Sequence, residues 1–202
     1  FFSYNLQDAN VTYKLTEKIW TDLLEFCRVV KEPLFEVSRS RMSGHVESYI
    51  IHNLDKFNEI AEKRPLSNEI GQRRAREKYE GAFVLEPKPG LYEDVVMFDF
   101  TSFWPSIIVS YNLSRSTKLE KRDEDSIEVD VGREHKYYFS KRQGFFPEML
   151  SEIITLRKKY KKEYSKNQNN LLKARSNAYK LLANASYGYQ GFFGARYYCP
   201  EA

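Results

Sequence analysis

An α+β fold is predicted for this chain of 202 residues: a mixed or antiparallel sheet with helices packed on it, and an antiparallel two-helix hairpin beside it. Three observations predict it. Apolar residues recur at helical spacing near the start of the chain and again from Pro147 onward. A period-two stretch, Ser126 to Val131, is followed across the turn-forming Gly132-Arg133 by Lys136 to Phe139, which reads as a β-hairpin. The short β-branched and aromatic run Val95 to Phe100 reads as a strand buried on both faces.

Leu15, Ile19, Leu23, Phe26 and Val30 lie on one helical stripe, so a helix is expected from about Asp8 to Lys31, stopping before Pro33. A second helix is expected over His45 to Ala61, with Val46, Tyr49, Ile50, Leu54 and Phe57 buried and the turn-like Lys63-Arg64-Pro65 at its end. Residues 65–78 are polar, with a basic cluster at Arg73, Arg74, Arg76 and Lys78. Pro105 suits the first turn of a helix that continues through Ser106 to Val109. Two further helices, Pro147 to Tyr164 and about Leu171 to Ser186, flank the breaker-rich Ser165–Asn170, and so short a connection makes them antiparallel.

With 42% apolar and 30% charged residues the chain can build a sizeable core and is not low-complexity disorder. No window approaches the roughly 18 apolar residues of a membrane span, and no signal or transit peptide is apparent, so a cytoplasmic, nucleoid-associated fragment is expected. Cys27 and Cys199 are far apart and only His45, His52 and His135 accompany them, which removes disulfide frameworks and zinc ribbons; any metal must be held by oxygen. The net charge of +4 is unevenly placed. Ser151 to Lys180 holds nine Lys or Arg against Glu152 and Glu163, a local +7 that leaves the remainder at −3. A polyanionic partner, nucleic acid or a nucleoside triphosphate, explains such a face, and so does an ordinary solvated helix.

Asp99 closes an apolar run, where a carboxylate is costly unless a metal or hydrogen-bond donors compensate it. If the helix begins near Pro105, the amides of residues 100–103 share its space, and a cation site lies beside an anion site, as a Mg²⁺-bound triphosphate requires. A carboxylate capping the following turn fits the same pattern. On the basic helix, Met149, Ile153, Leu156, Tyr160 and Tyr164 define the apolar face. Arg157 and Lys161 lie on its edge, and Lys158, Lys159, Lys162 and Lys166 lie opposite. Lys180 of the returning helix comes to about the height of Arg157 and Lys161, and three converging cations call for an anion. Asn184 follows Lys180 by one turn, Tyr187 offers a ring either to a base or sugar or to the core, and Gly188 is expected to end the helix.

These residues resemble a known pattern. Asp99-Phe-Thr-Ser-Phe-Trp-Pro-Ser-Ile107 resembles motif A of the family B DNA polymerases, and Lys180 to Gly188 resembles their motif B, in the right order and nearest to the archaeal members. Tyr79-Glu-Gly-Ala82 is similar to the motif that links exonuclease and polymerase domains, and Tyr4 with Asp8 is similar to the third exonuclease motif. The resemblance implies part of a polymerase palm plus a fingers hairpin. It divides the chain into the end of an exonuclease-like domain with its linker helix (1–35), the N-terminal part of the palm (36–146), the fingers hairpin and motif B (147–187), and the start of a return into the palm (188–202).

The implied activity is DNA-directed DNA synthesis, the attack of a primer 3′-hydroxyl on a deoxynucleoside triphosphate (dNTP) held by two Mg²⁺ ions. Asp99 and the Phe100 carbonyl would bind metal, with Asp99 catalytic. Phe100, Thr101, Ser102, Phe103, Trp104, Arg157, Lys161, Lys180, Asn184 and Tyr187 would bind the nucleotide. Tyr79, Gly81, Ala82 and Gly188 would touch primer-template DNA, and Tyr4 and Asp8 would be an exonuclease remnant. Three departures bear on this. Trp104 stands where the family has Tyr as a gate against ribose, Ala185 replaces the motif B Ser, and no Tyr-x-Asp-x-Asp of motif C occurs. The chain alone is therefore expected to be inactive, needing motif C from the rest of the protein or from a second chain. The alternative is a catalytically inactive relative that serves as a DNA-binding module.

Overall fold

The computed structural model describes residues 1–76, 83–132 and 136–202. Helix α1 (Phe2–Val30) begins earlier than expected, because nothing between Phe2 and Asn10 breaks a helix. Lys31 ends it in the left-handed region (φ 59°), and Pro33 caps the short α2 (Leu34–Arg39), which sequence periodicity is too brief to reveal. Only the last third of α1 is buried, at Glu25, Phe26, Val29 and Val30; Leu15 and Ile19, expected in the apolar stripe, are exposed.

The expected helix over His45 to Ala61 is shorter and earlier, α3 (Met42–Ile51), followed by a 3₁₀ turn at Asp55–Phe57 that Asn58 closes with φ 50°. Asn53 Nδ2 donates to the Tyr49 carbonyl at 2.7 Å, and this side-chain bond competes with continuation of the helix. The predicted stripe nonetheless points inward: Val46, Tyr49, Ile50 and Leu54 are buried. The polar stretch after Pro65 forms a helix of its own, α4 (Ser67–Ala75), whose first turn is tied by Glu69 accepting from the Leu66 N–H at 2.7 Å.

The expected strand at Val95 to Phe100 is not formed. Residues 83–100 carry no helix or strand, and Met97 and Phe98 are each 91% exposed. A strand exists only through a ladder partner. Among the described residues the three strands pair with one another and leave this run without one. Helix α5 (Phe103–Ser110) comes next, with Pro105 in its first turn as expected.

The hairpin is present as β2 (Ser126–Asp130) and β3 (Lys136–Ser140), joined on the far side by the two-residue β1 (Lys118–Leu119). The sheet is antiparallel in the order β1-β3-β2, with Ile127 opposite Phe139. Asn112 ties the end of α5 to the segment leaving β3: its amide donates to the carbonyls of Ser140 (2.6 Å) and Arg142 (2.7 Å), and its carbonyl oxygen accepts from Gly144 N–H (2.9 Å). Glycine is required there, since a Cβ on Gly144 would lie 2.4 Å from the Thr117 methyl.

Helices α6 (Phe145–Asn167) and α7 (Asn170–Gly191) form the expected antiparallel hairpin. Gln168 turns with φ 50°, and the Asn169 side chain caps α7 by accepting from Leu171 N–H at 2.8 Å. Gly188 does not end the helix, which runs three residues farther. Burial of Tyr189 and Gln190, with Gln190 Nε2 donating to the Leu113 carbonyl, outweighs the roughly 1 kcal/mol helix penalty of a glycine. The core forms where α1, α3, α6 and α7 meet, at Val30, Val46, Ile50, Met149, Ile153, Leu182 and Tyr189, with Ile108 and Phe139 joining from α5 and β3. Among the described residues no helix is long and apolar enough to cross a membrane.

His45 lies inside this core against the edge of Phe26, ring centroids 5.0 Å apart, with Glu32 3.8 Å from its Nδ1. Burial pushes its pKa below the ordinary value and outweighs the opposing pull of Glu32. The unfolded chain therefore takes up this proton first, and stability falls as pH drops below about 6.5 toward the depressed native value. The urea midpoint is expected to be lower at pH 5.5 than at pH 7.5, and His45→Gln to reduce that difference. An unchanged difference in the variant would remove His45 as its source.

Candidate functional site

The loop before α5 and the α6–α7 hairpin meet around two contacts. Ser102, in the left-handed region (φ 54°), starts α5, and its Oγ accepts from Arg157 Nη1 at 2.7 Å. This charge-assisted bond ties the middle of α6 to the loop. On the other side the Trp104 indole stacks on Tyr187 of α7, with ring centroids 4.4 Å apart and planes 15° from parallel. Phe103 packs on Trp104 (4.9 Å) and Phe100 on Phe103 (5.2 Å), so the aromatic series runs from the loop onto α7. The Ser106 hydroxyl donates back to the Thr101 carbonyl at 3.2 Å, closing the first turn of α5.

The wall is cationic where it is not aromatic. Lys161 follows Arg157 by one turn on α6, and the Arg157 carbonyl accepts from Ser176 Oγ at 3.5 Å, one turn before Lys180 on α7. In the antiparallel hairpin Lys161 therefore lies one turn toward the tip from Arg157 and Lys180 one turn toward the base, so the two lysines flank Arg157 and do not share one height as expected; Arg157 is half-buried and both lysines are exposed. Asn184 is exposed a turn beyond Lys180, and Tyr187 lies on the same helix face three residues farther. Ala185 packs partly buried against the core, so the methyl side chain fits its surroundings.

Asp99 is exposed on the loop, one residue before Phe100. Among the described residues no three carboxylates, histidines or cysteines gather where they could hold a metal ion. Each hard divalent cation takes about six oxygen ligands, and Asp99 with the Phe100 carbonyl offers far fewer than a pair of Mg²⁺ ions needs. These residues do not by themselves fit the metal pair. Gly188 is exposed on α7, with open space where a Cβ would be. Tyr4 and Asp8 stand exposed on the first turns of α1, far in sequence from its buried third. Tyr79, Gly81 and Ala82 lie outside the described residues.

Sequence reasoning finds Ser102 and Arg157 separately but not their pairing, which joins residues 55 apart. It also leaves the basic cluster before residue 77 without a role. Arg73 Nη1 donates to the carbonyls of Phe193 (3.0 Å) and Ala195 (2.9 Å), holding the segment after α7. The dense arginines of the cluster are the only trace of this in the sequence.

Residues 33–202 match the family described as DNA polymerase family B. DNA polymerase 1 of Pyrococcus abyssi is 37% identical over 98% of this chain and 26% of its own length. The DNA polymerase of Pyrococcus glycovorans is 38% identical with the same coverage, and DNA polymerase 2 of Aeropyrum pernix 34% identical over 98% of this chain and 25% of its own length. The solved structure of the family B DNA polymerase from the hyperthermophilic archaeon Pyrobaculum calidifontis superposes with a TM-score of 0.76 at 36% identity, covering 97% of this chain and 26% of that one. The chain thus spans about a quarter of the length of these relatives.

Proposed function

The chain belongs to DNA polymerase family B, and from that premise we propose that it supplies the nucleotide-gripping part of a DNA-directed DNA polymerase acting on primer-template DNA and dNTPs. Its parts are the end of an exonuclease-like domain (1–35), the N-terminal palm (36–146), the fingers hairpin with motif B (147–187) and the return toward the palm (188–202). The observation that carries the reading is the meeting of the Asp99–Trp104 loop with the hairpin through Ser102–Arg157 and Trp104–Tyr187.

In this reading Arg157, Lys161 and Lys180 grip the triphosphate, since guanidinium and ammonium groups on a rigid hairpin are pre-organised for phosphate oxygens. Ser102 holds Arg157 in place, and Asn184 adds a neutral donor. The indole of Trp104, braced on Tyr187, bounds the sugar side, where its bulk excludes a ribose 2′-hydroxyl. Asp99 would be one of the carboxylates that hold Mg²⁺, an ion that would supply charge neutralisation at the phosphate once the remaining ligands are present. The remaining metal ligands lie beyond the oxygens this chain presents, so a segment bearing motif C, in the same protein or a second chain, completes the site. Tyr79, Gly81, Ala82 and Gly188 contact the DNA backbone, and Tyr4 and Asp8 belong to the adjoining exonuclease-like unit.

The test is complementation. The chain is mixed with a polypeptide that carries Tyr-x-Asp-x-Asp and the rest of a family B polymerase, and Mg²⁺-dependent primer extension is followed on a gel. Extension is expected only from the mixture. A second reading, a non-catalytic DNA-binding relative, draws on the Trp104–Tyr187 stack, in which a face of the Tyr187 ring is already taken by the indole. It predicts salt-sensitive binding of primer-template with no extension from any mixture, and that result would overturn the catalytic proposal.

A further inference from the structure

Apart from the loop and hairpin described above, α4 and the segment after α7 line a cleft of about 380 Å³ with Gln72, Arg73, Arg76, Arg115 and Tyr198. Among the described residues that line it, three of five are arginines and none is acidic.

The three arginines are held differently. Arg73 is a fixed platform, bonded to two carbonyls and lying over the Tyr198 ring with its guanidinium carbon 4.8 Å from the centroid. Arg115 Nη1 donates to the Arg196 carbonyl at 3.0 Å, while its Nη2 stands 3.9 Å from Glu62, beyond hydrogen-bond reach. Arg76 stands 3.6 Å from Glu201, whose carboxylate is held more closely by Lys118 at 2.8 Å. Each guanidinium has five N–H donors, and these contacts use a minority of them. The Arg115 and Arg76 side chains remain 43% and 55% exposed. Planar forks converging on one cleft repel each other unless an anion with several acceptor oxygens joins them, and phosphate geometry matches them best.

We infer that this cleft binds a backbone phosphodiester of a nucleic-acid strand, outside the nucleotide site. This rests on the polymerase reading and extends it to the path of the strand. The volume exceeds a bare phosphate, and the neutral partners, the Gln72 amide and the Tyr198 ring, suit a sugar–phosphate unit. The basic and aromatic character continues beyond the cleft, where Arg74 lies over Phe193 at 4.3 Å. Aromatic rings interleaved with arginines form the usual surface for a strand.

The experiment uses the 202-residue chain itself. Binding of a labelled single-stranded oligodeoxynucleotide is titrated across a salt series for the native chain, Arg115→Ala, Arg76→Ala with Arg115→Ala, and Lys14→Ala on the exposed part of α1 as control. The slope of log K against log salt is expected to fall by about 0.7 for each arginine removed and to stay unchanged in the control. Arg115→Lys, which keeps charge but loses the fork, should keep the slope and bind more weakly. Equal urea midpoints establish that the variants fold, as expected for exposed side chains. Oligonucleotide binding with the same slope in every variant overturns this site and leaves the polymerase reading standing. No binding by the native chain overturns both. In a parallel arm, inorganic phosphate and pyrophosphate are added at constant ionic strength. Protection by these ions that needs Arg115, with an unchanged oligonucleotide slope, identifies a free-anion site and overturns the strand assignment.

Discussion

On the proposed function, Asp99→Ala in a polymerase reassembled from this chain and a motif C polypeptide is expected to lower the rate of primer extension by about a thousandfold or more, some 4 kcal/mol of transition-state stabilisation. The reason is electrostatic. Phosphoryl transfer concentrates charge on oxygens that metal ions and fixed cations neutralise, and in the proposed reading Asp99 would be one of the carboxylates that hold the metal. The substitution is unusually clean. Asp99 is exposed on a loop, so its loss should leave the unfolding free energy within about 0.5 kcal/mol of the native value. Single-turnover extension with excess dNTP, measured beside equilibrium binding of primer-template, separates the effects: the chemical step should collapse while DNA binding holds. Extension at the native rate would sink the assignment of Asp99.

Arg175→Met is expected to destabilise the chain by about 3 kcal/mol. Glu25 is fully buried in the last third of α1, and each carboxylate oxygen takes one charged donor, Arg28 Nη1 at 2.7 Å and Arg175 Nε at 2.6 Å. Removing Arg175 strands one oxygen in the core between α1 and α7. Removing the charge from the other side is milder. Glu25→Gln leaves two arginines whose side chains are 65% and 31% exposed and can turn to water, at a cost of about 1 kcal/mol. Urea denaturation of both variants tests the asymmetry, and a loss in Glu25→Gln equal to that in Arg175→Met would show that the buried carboxylate is not the reason. The pair also connects α1 to the hairpin that carries Arg157, so its loss should loosen the frame of the candidate site.

The α6–α7 hairpin, the β2–β3 hairpin and the first turn of α5 are legible from sequence because each is decided within a few residues. The 3.6-residue and two-residue periods of Met149 to Tyr164 and of Ser126 to Val131 are strong, and Gln168 with Asn169 marks the break. The helix after Pro65 is hidden by its polarity, since a helix with no buried residue shows no apolar stripe. Gly188 misleads because local propensity favours a stop there, while the buried side chains of Tyr189 and Gln190 carry the helix on. The strand expected at Val95 to Phe100 has the right residues, and it lacks a ladder partner.

By itself the sequence determined the family and the order of the motifs, because these are properties of short segments. Only the tertiary structure decided which of those segments meet. Ser102 reaches Arg157 across 55 residues and Arg175 reaches Glu25 across 150. No local pattern encodes such a pairing. It exists because burial of the faces of α1, α3, α6 and α7 outweighs the entropy of closing those loops, and the folded core then holds the polar partners within reach of one another.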